Sequence, residues 1–422
     1  MAGRRFVAPR RDQYAAQETP VPHEAAPVLA LTYPGVLRPV ILQDAGEVLA
    51  GLAATLHGWS PQIGIAGRQD FARALTGVAG RLGSYGVTSA YLDAPMHGLP
   101  AASAVCGVIA DLAQAYIDER PGILALHCGA VMIGGQLVVL TGQTRAGKST
   151  LMSRLTAEPE MTVFCDDVLP VLPGGMAYGL GVAPRLRLPL PERASEVFRS
   201  HVALSAGVAD ARYAYLNAGT VAPHGTRAPL AALIVLTRDA VSPARLHEMP
   251  VSEAVQHLMA RNMADPGDPQ AHLDRLNAVA QGLLCLRLVY SDLEDAVILL
   301  RAQFAGKGVD IAPSLPPGQG VEPVGLVPVD LAQVWRRDPM IGLRRVGEEV
   351  YLWHAAQRAF VHLNPVATAV WLLLEEPMRG NEVVAILQEA FVAVPPEVIA
   401  QDVAGLLAGL AGQEMVEGVG EA

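Results

Sequence analysis

Lysine is nearly missing from this chain: of its 422 residues two are Lys, against 29 Arg. The skew fits a GC-rich genome, so the abundance of arginine carries no functional meaning by itself. Aromatic residues make up only 5 %, so cores must be built from the Leu, Val and Ala within a 51 % hydrophobic share. There is no excess of positive charge. The net charge of −10 lacks the basic footprint of a nucleic-acid partner. The four cysteines (Cys106, Cys128, Cys165, Cys285) form no CxxC pair and no metal-ligand spacing, which excludes a disulfide framework and reads as reduced thiols. No apolar run reaches about 18 residues, because Asp111 breaks the longest one, 101–117. The first residues have no apolar h-region, so no signal peptide is expected. These absences together predict a soluble, cytoplasmic protein without a nucleic-acid or membrane partner.

What is present has the rhythm of an α/β protein, with short apolar runs alternating with helical periods. Residues 1–28 hold Arg4, Arg5, Arg10 and Arg11 among Pro and Ala without any period, and read as a disordered tail. Helices are expected at 45–56, 71–82 and 103–118, and a strand at 88–91. Two apolar runs, 130–133 and 137–140, flank Gly134-Gly135 as a hairpin would. A helix from Gly147 follows. Later strands are expected at 162–165, 168–172, 231–236 and 285–290, and helices at 251–261, 271–283 and 292–304. The Gly- and Pro-rich stretch 305–325 reads as a linker. It separates a unit at 29–304, whose first ninety residues could be a distinct part, from a compact unit at 326–415. In the latter, strands at 349–354 and 358–363 flank the turn AAQR. Asn364 is a good N-cap with Pro365 at the first helical position, and helices follow at 365–375, 380–391 and 395–412. His354 and His362 read as structural.

The segment LVVLTGQTRAGKST fits the phosphate-loop pattern G-x-x-x-x-G-K-[ST] over residues 142–150: Gly142, Gln143, Thr144, Arg145, Ala146, Gly147, Lys148, Ser149 and Thr150. Glycines let backbone N–H groups turn inward around a phosphate, and the following helix adds its N-terminal donors. Lys148 would reach the β- and γ-phosphates of ATP, and Ser149 would ligate Mg²⁺. Chance is a poor rival explanation. With lysine so scarce, a chain of this composition is expected to contain roughly 0.002 such matches.

Nineteen residues beyond Lys148, the run TVFCDDVLPVL delivers Asp166 and Asp167 at a strand end. Neighbouring residues on a strand face opposite ways, so one carboxylate can hold a metal while the other faces an incoming hydroxyl, as phosphoryl transfer requires. His127, fifteen residues before Gly142, sits in the apolar stretch LALHCGAV, and by spacing alone reads as a core histidine. Arg185 and Arg187, in PRLRLP, share one face of a strand and would point towards phosphates or into solvent.

The order LHxxxV, phosphate loop, Asp-Asp pair, PRLRLP resembles the HPr kinase/phosphorylase superfamily over roughly residues 35–304. Neither NKxD nor LSGGQ is present. The resemblance implies a P-loop kinase fold that binds ATP and Mg²⁺, with Asp167 as the base towards a seryl hydroxyl, Asp166 as a magnesium partner beside Ser149, and His127 as a functional residue. Thr150 stands where those kinases usually carry Glu, and their signature for the reverse reaction is not recognisable. The pattern VYLWHAAQRAFVHLNPVATAVWLLL, followed by two helices and EMVEG, resembles PqqD-like domains. It implies a small winged-helix-like α+β domain that takes the leader of a ribosomally made precursor peptide as an added strand. Joined, the two resemblances imply a kinase for a Ser or Thr hydroxyl of a peptide held by its leader, with the linker raising the acceptor's local concentration. A small-metabolite kinase and a nucleotide-gated peptide chaperone without transfer chemistry are the alternatives. The family also admits a homo-oligomer.

Overall fold

The computed structural model describes residues 27–81, 83–143, 146–315, 329–346, 349–354 and 359–419. The expected tail up to residue 26, Thr144 and Arg145 of the loop, the later part of the 305–325 stretch and the AAQR turn lie outside the described residues.

Residues 29–99 form a six-stranded sheet. Leu29–Thr32 lies between Gln62–Ile65 and Val40–Gln43, and beyond the latter follow Thr76–Arg81, Ser84–Ser89 and Met96–Leu99. The expected helix at 71–82 is not there. A short helix, Arg68–Ala72, gives way to the strand Thr76–Arg81. The reason is legible in TGVAGR. Thr76 and Val78 are buried while Ala79 is exposed, so the period is two, and Gly77 and Gly80 disfavour a helix. The strand expected at 88–91 runs earlier, over Ser84–Ser89. Helices Gly46–Thr55 and Ala101–Asp118 pack on this sheet around Leu31, Val48, Leu52, Val105, Val108 and Leu112. Asp111, the break in the apolar run, is buried because Thr76 Oγ1 (2.6 Å) and Ser89 Oγ (2.9 Å) donate to its carboxylate.

A nine-stranded mixed sheet carries the glycine-containing loop at 142–150. Gln136–Gly142 runs parallel to Arg227–Arg238, which runs parallel to Leu284–Tyr290. These are near-continuous apolar strands such as a sheet buried on both faces demands. On the other side Gly129–Ile133 closes the hairpin antiparallel to Gln136–Gly142, and Thr162–Cys165 pairs beyond it. The twelve-residue strand Arg227–Arg238 also pairs through its early residues with Met176–Tyr178, extending the sheet to Val168–Leu172 and Leu124–His127. The helix after the loop, Lys148–Leu155, is pinned by Arg154, which is buried between Glu158 (2.5 Å) and Glu294 (2.7 Å). The first part of the Gly- and Pro-rich stretch packs against this unit. Ala312 bonds both Leu246 O and Glu248 N–H, and Val309 and Ile311 meet the core.

The C-terminal unit holds helices Pro365–Leu373, Gly380–Ala390 and Pro396–Gly412 around Val370, Trp371, Val383, Leu387, Val403 and Leu407. Asn364 caps the first by accepting the Ala367 N–H at 2.8 Å. Val334–Arg337 pairs with Met378–Arg379 and Val416–Val419, and Ile341–Val346, Glu349–His354 and Ala359–Leu363 form a meander. This unit does not swing free. Val346 and Tyr351 enter the core cluster that holds Val255, Leu258, Leu273 and Leu276. Tyr351 Oη donates to Ser252 O at 2.7 Å, and Gln256 Nε2 lies 3.0 Å from His362 Nε2.

Candidate functional site

The loop at 142–150 opens at the carboxyl end of its strand, Gln136–Gly142, where α/β sheets place their ligands. Gly142 pairs with Leu236, and Arg238 pairs with Tyr290, so the ends of three parallel strands converge on one place. Glycine is required twice. A Cβ on Gly142 would stand 2.8 Å from Leu236 O, and Gly147 has φ +90° with Tyr290 Oη 2.5 Å from where its Cβ would be. That tyrosine donates to Ala146 O at 2.7 Å, and Arg261 Nη2 donates to Gly142 O at 2.6 Å. The loop is thus clamped near both ends by groups from distant parts of the chain.

Asp166 and Asp167 occupy a corner. The chain leaves the ladder of Thr162–Cys165 with Gly129–Ile133 and enters that of Val168–Leu172 with Leu124–His127. His127 and Val168 are ladder partners, and Cys128 N–H donates to Asp167 O at 3.1 Å. That pairing brings His127 Nε2 to 2.9 Å from Asp167 Oδ1, with both side chains about half exposed. The core placement that spacing suggested for His127 is therefore wrong. It ends a strand and faces the cleft. The two aspartates lie in the bend between the strands rather than on one, and their carboxylates take different partners. Asp166 is buried, and its Oδ2 accepts the Arg185 N–H at 3.0 Å. Burial, and then the nearby charge of Asp167, push Asp166 up to about 6. The hydrogen bond from His127 holds Asp167 below the usual carboxylate range, with Lys148 and Arg185 helping. Lys148 Nζ donates to Asp166 O at 2.5 Å, which sets its ammonium between loop and corner.

One cleft of about 690 Å³ gathers Gly142, Gln143, Ala146, Gly147, Lys148, Ser149, Thr150, His127, Asp166 and Asp167. Every expected site residue that lies among the described residues lines it. So do Arg185, Arg187, Tyr213 and Cys106, the last from helix Ala101–Asp118 of the first unit. Sequence reasoning missed Arg238, Arg261 and Tyr290. Arg238 and Tyr290 end apolar strands (AALIVLTR, CLRLVY), and that position was the available signal; Arg261 had none. Among the described residues no group of three or more His, Cys, Asp or Glu side chains could hold a metal. Ser149 and Asp166 offer hard oxygens of the kind Mg²⁺ takes when one or two protein ligands share it with substrate phosphates, so the residues present fit that ion.

Residues 349–416 match the family model for coenzyme PQQ synthesis protein D (PqqD), so the C-terminal unit is PqqD-like. Among solved structures, TbiB1 in complex with the TbiA(beta) leader peptide is 26 % identical, with 20 % of this chain and 99 % of that one covered and a TM-score of 0.19. The PqqD truncation of Methylobacterium extorquens PqqCD, described as a stand-alone recognition element for ribosomally synthesized and post-translationally modified peptides, is also 26 % identical, covering 23 % and 99 % with a TM-score of 0.19. The Hpr(Ser) kinase/phosphatase from Coxiella burnetii is 12 % identical, covering 41 % of this chain and 89 % of its own, with a TM-score of 0.20. At these TM-scores none of the three describes the architecture of the whole chain. No curated protein matches it. No helix among the described residues is long and apolar enough to cross a membrane.

Proposed function

We propose that this chain is a Mg-ATP-dependent kinase that phosphorylates a Ser or Thr hydroxyl of a precursor peptide whose leader is held by the PqqD-like unit. The observation that carries the kinase half is the pairing of His127 with the ionised Asp167 at the mouth of a phosphate loop, beside a second, buried aspartate. The backbone amides of residues 142–150 and Lys148 would cradle the triphosphate, and Ser149 with Asp166 would hold Mg²⁺. Bound there, the ion would neutralise charge on the β- and γ-phosphates. Asp167 is the group free to take the acceptor's proton, because its depressed pKa keeps it a carboxylate at neutral pH. The acceptor oxygen bonds to the γ-phosphorus as the bond to the bridging oxygen of ADP breaks, and the hydroxyl proton passes to Asp167. His127, hydrogen-bonded to that carboxylate, fixes its orientation.

The PqqD match supports the peptide half, and we read its two adjacent helices and returning strand Val416–Val419 as winged-helix-like. An added strand on the edge Ala359–Leu363 is the recognition mode that fits a three-stranded meander. The test is mass spectrometry of candidate peptides incubated with the full chain and Mg-ATP. Asp167→Asn should lower phosphoproduct formation by about 10²–10⁴-fold with ATP binding intact. A scrambled leader that leaves kinetics unchanged rejects the peptide half. A wild-type chain that yields no phosphoproduct on any peptide rejects the kinase half.

A further inference from the structure

The nucleotide side of the cleft already has its cations. Lys148 sits at the head of the helix that follows the loop, Arg261 bonds Gly142 O, and Arg238 Nη1 lies 3.4 Å from where a Cβ on Gly147 would be. Two further arginines line the cleft from the wall beyond the aspartate corner. Arg185 and Arg187 stand two residues apart on the strand Arg185–Arg187, so their side chains share one face. Their guanidinium carbons lie 4.9 and 5.9 Å from the centroid of the Tyr213 ring. Arg185 is occupied. Its N–H serves Asp166, and its guanidinium meets Cys106 Sγ. Arg187 is exposed, and among the described residues no ion pair joins it to a carboxylate.

We propose that Arg187, braced on Tyr213, recognises an acidic side chain two positions from the acceptor hydroxyl of the peptide substrate. The inference rests on the kinase reading and names the kind of acceptor it takes. The spacing follows from strand geometry. Arg185 adjoins the corner that presents Asp167, and Arg187 lies about 6.6 Å further along the same face, at about 3.3 Å per residue. An extended peptide with its hydroxyl at Asp167 puts the side chain two positions away at the same offset and on the same face. The charge also favours this. The cleft is lined by Lys148, Arg185, Arg187, Arg238 and Arg261 against Asp166 and Asp167, within a chain of net charge −10. A local positive field of this kind draws in an anionic segment that the rest of the surface repels.

The experiment uses the full chain, Mg-ATP and fluorescently labelled synthetic peptides with one central Ser and Glu, Gln or Arg placed two residues before or after it. Phosphate transfer is read by mass spectrometry and binding by fluorescence polarisation. The Glu peptide should exceed the Gln peptide by about 10-fold in kcat/KM, as a charge-assisted hydrogen bond allows, with the difference in KM rather than kcat. Arg187→Glu should invert the preference towards the Arg peptide, and Arg187→Lys should keep part of the original one. Equal use of the three peptides by the wild type overturns the proposal. So does an Arg187→Glu variant that raises KM for ATP alike with every peptide, since that assigns the residue to the nucleotide's phosphates. If no peptide is phosphorylated while polarisation still shows the Arg187-dependent preference, the kinase reading fails and the acidic recognition stands. If polarisation shows no preference either, the inference falls.

Discussion

Asp166 should cost the protein stability at neutral pH. Its ordinary pKa is 3.8, and burial followed by the Asp167 charge pushes it up to about 6. A carboxyl with a higher pKa folded than unfolded favours the folded state in its protonated form. That contribution is complete below pH 3.8 and is lost as pH rises through about 6. At about 1.4 kcal/mol per pH unit, the gap between 3.8 and about 6 is roughly 3 kcal/mol, carried as a penalty at neutral pH. Asp166→Asn removes the charge and keeps an oxygen for the Arg185 N–H. Without nucleotide or magnesium the variant should therefore be more stable than the wild type by about 3 kcal/mol at pH 8, and no more stable near pH 3.8. With an unfolding entropy of about 2.1 cal/mol/K per residue over 422 residues, the gain in Tm is about 3 °C. Thermal unfolding followed by calorimetry at the two pH values measures it, and a transfer assay on the same samples should show activity lost. A variant less stable than the wild type by the same amount at both pH values would refute the reasoning, because it would show that the ionised carboxylate is well solvated or paired where it stands.

Other outcomes follow from single contacts. Gly147→Ala places a Cβ against Tyr290 Oη in a left-handed backbone; it should destabilise the fold by about 2 kcal/mol and abolish ATP binding, as calorimetric titration would show. His272 is buried, and desolvation followed by Arg275 lowers its pKa to about 4. The stability this residue contributes is present above pH 6.5 and lost as pH falls through 4. His272→Gln should therefore remove about 2 kcal/mol of the stability lost between pH 7 and pH 5, read by denaturant titration at each pH. Tyr351→Phe removes the hydrogen bond to Ser252 O and should cost about 1 kcal/mol, with faster hydrogen exchange over 251–261; unchanged exchange there would mean that the two units do not depend on each other.

Local chemistry made much of this readable in advance. The hairpin at Gly134-Gly135, the loop, the helix from Lys148 and the Asn364 cap each follow from residues close in sequence, and their boundaries agree with the fold to within a few residues. The strand Thr76–Arg81 was hidden because Phe71, Leu75 and Val78 mimic a helical spacing that only the glycines contradict. His127 was misplaced for a different reason. Its apolar neighbours are real, but its exposure depends on where a strand stops, and that is set by the partner strand forty residues on. Arg261 reaches Gly142 across 119 residues, and no window along the chain contains both.

The docking of the PqqD-like unit turns the expected tether into a ruler. Tyr351 and Val346 are set into the body that carries Arg261 and the loop, so a peptide seated on the meander would start from a fixed point, whatever the length of the intervening stretch. Which residue arrives at Asp167 would then be decided by counting along the substrate. Lengthening residues 316–328 should leave that count as it is, and lengthening the peptide between leader and acceptor should shift it.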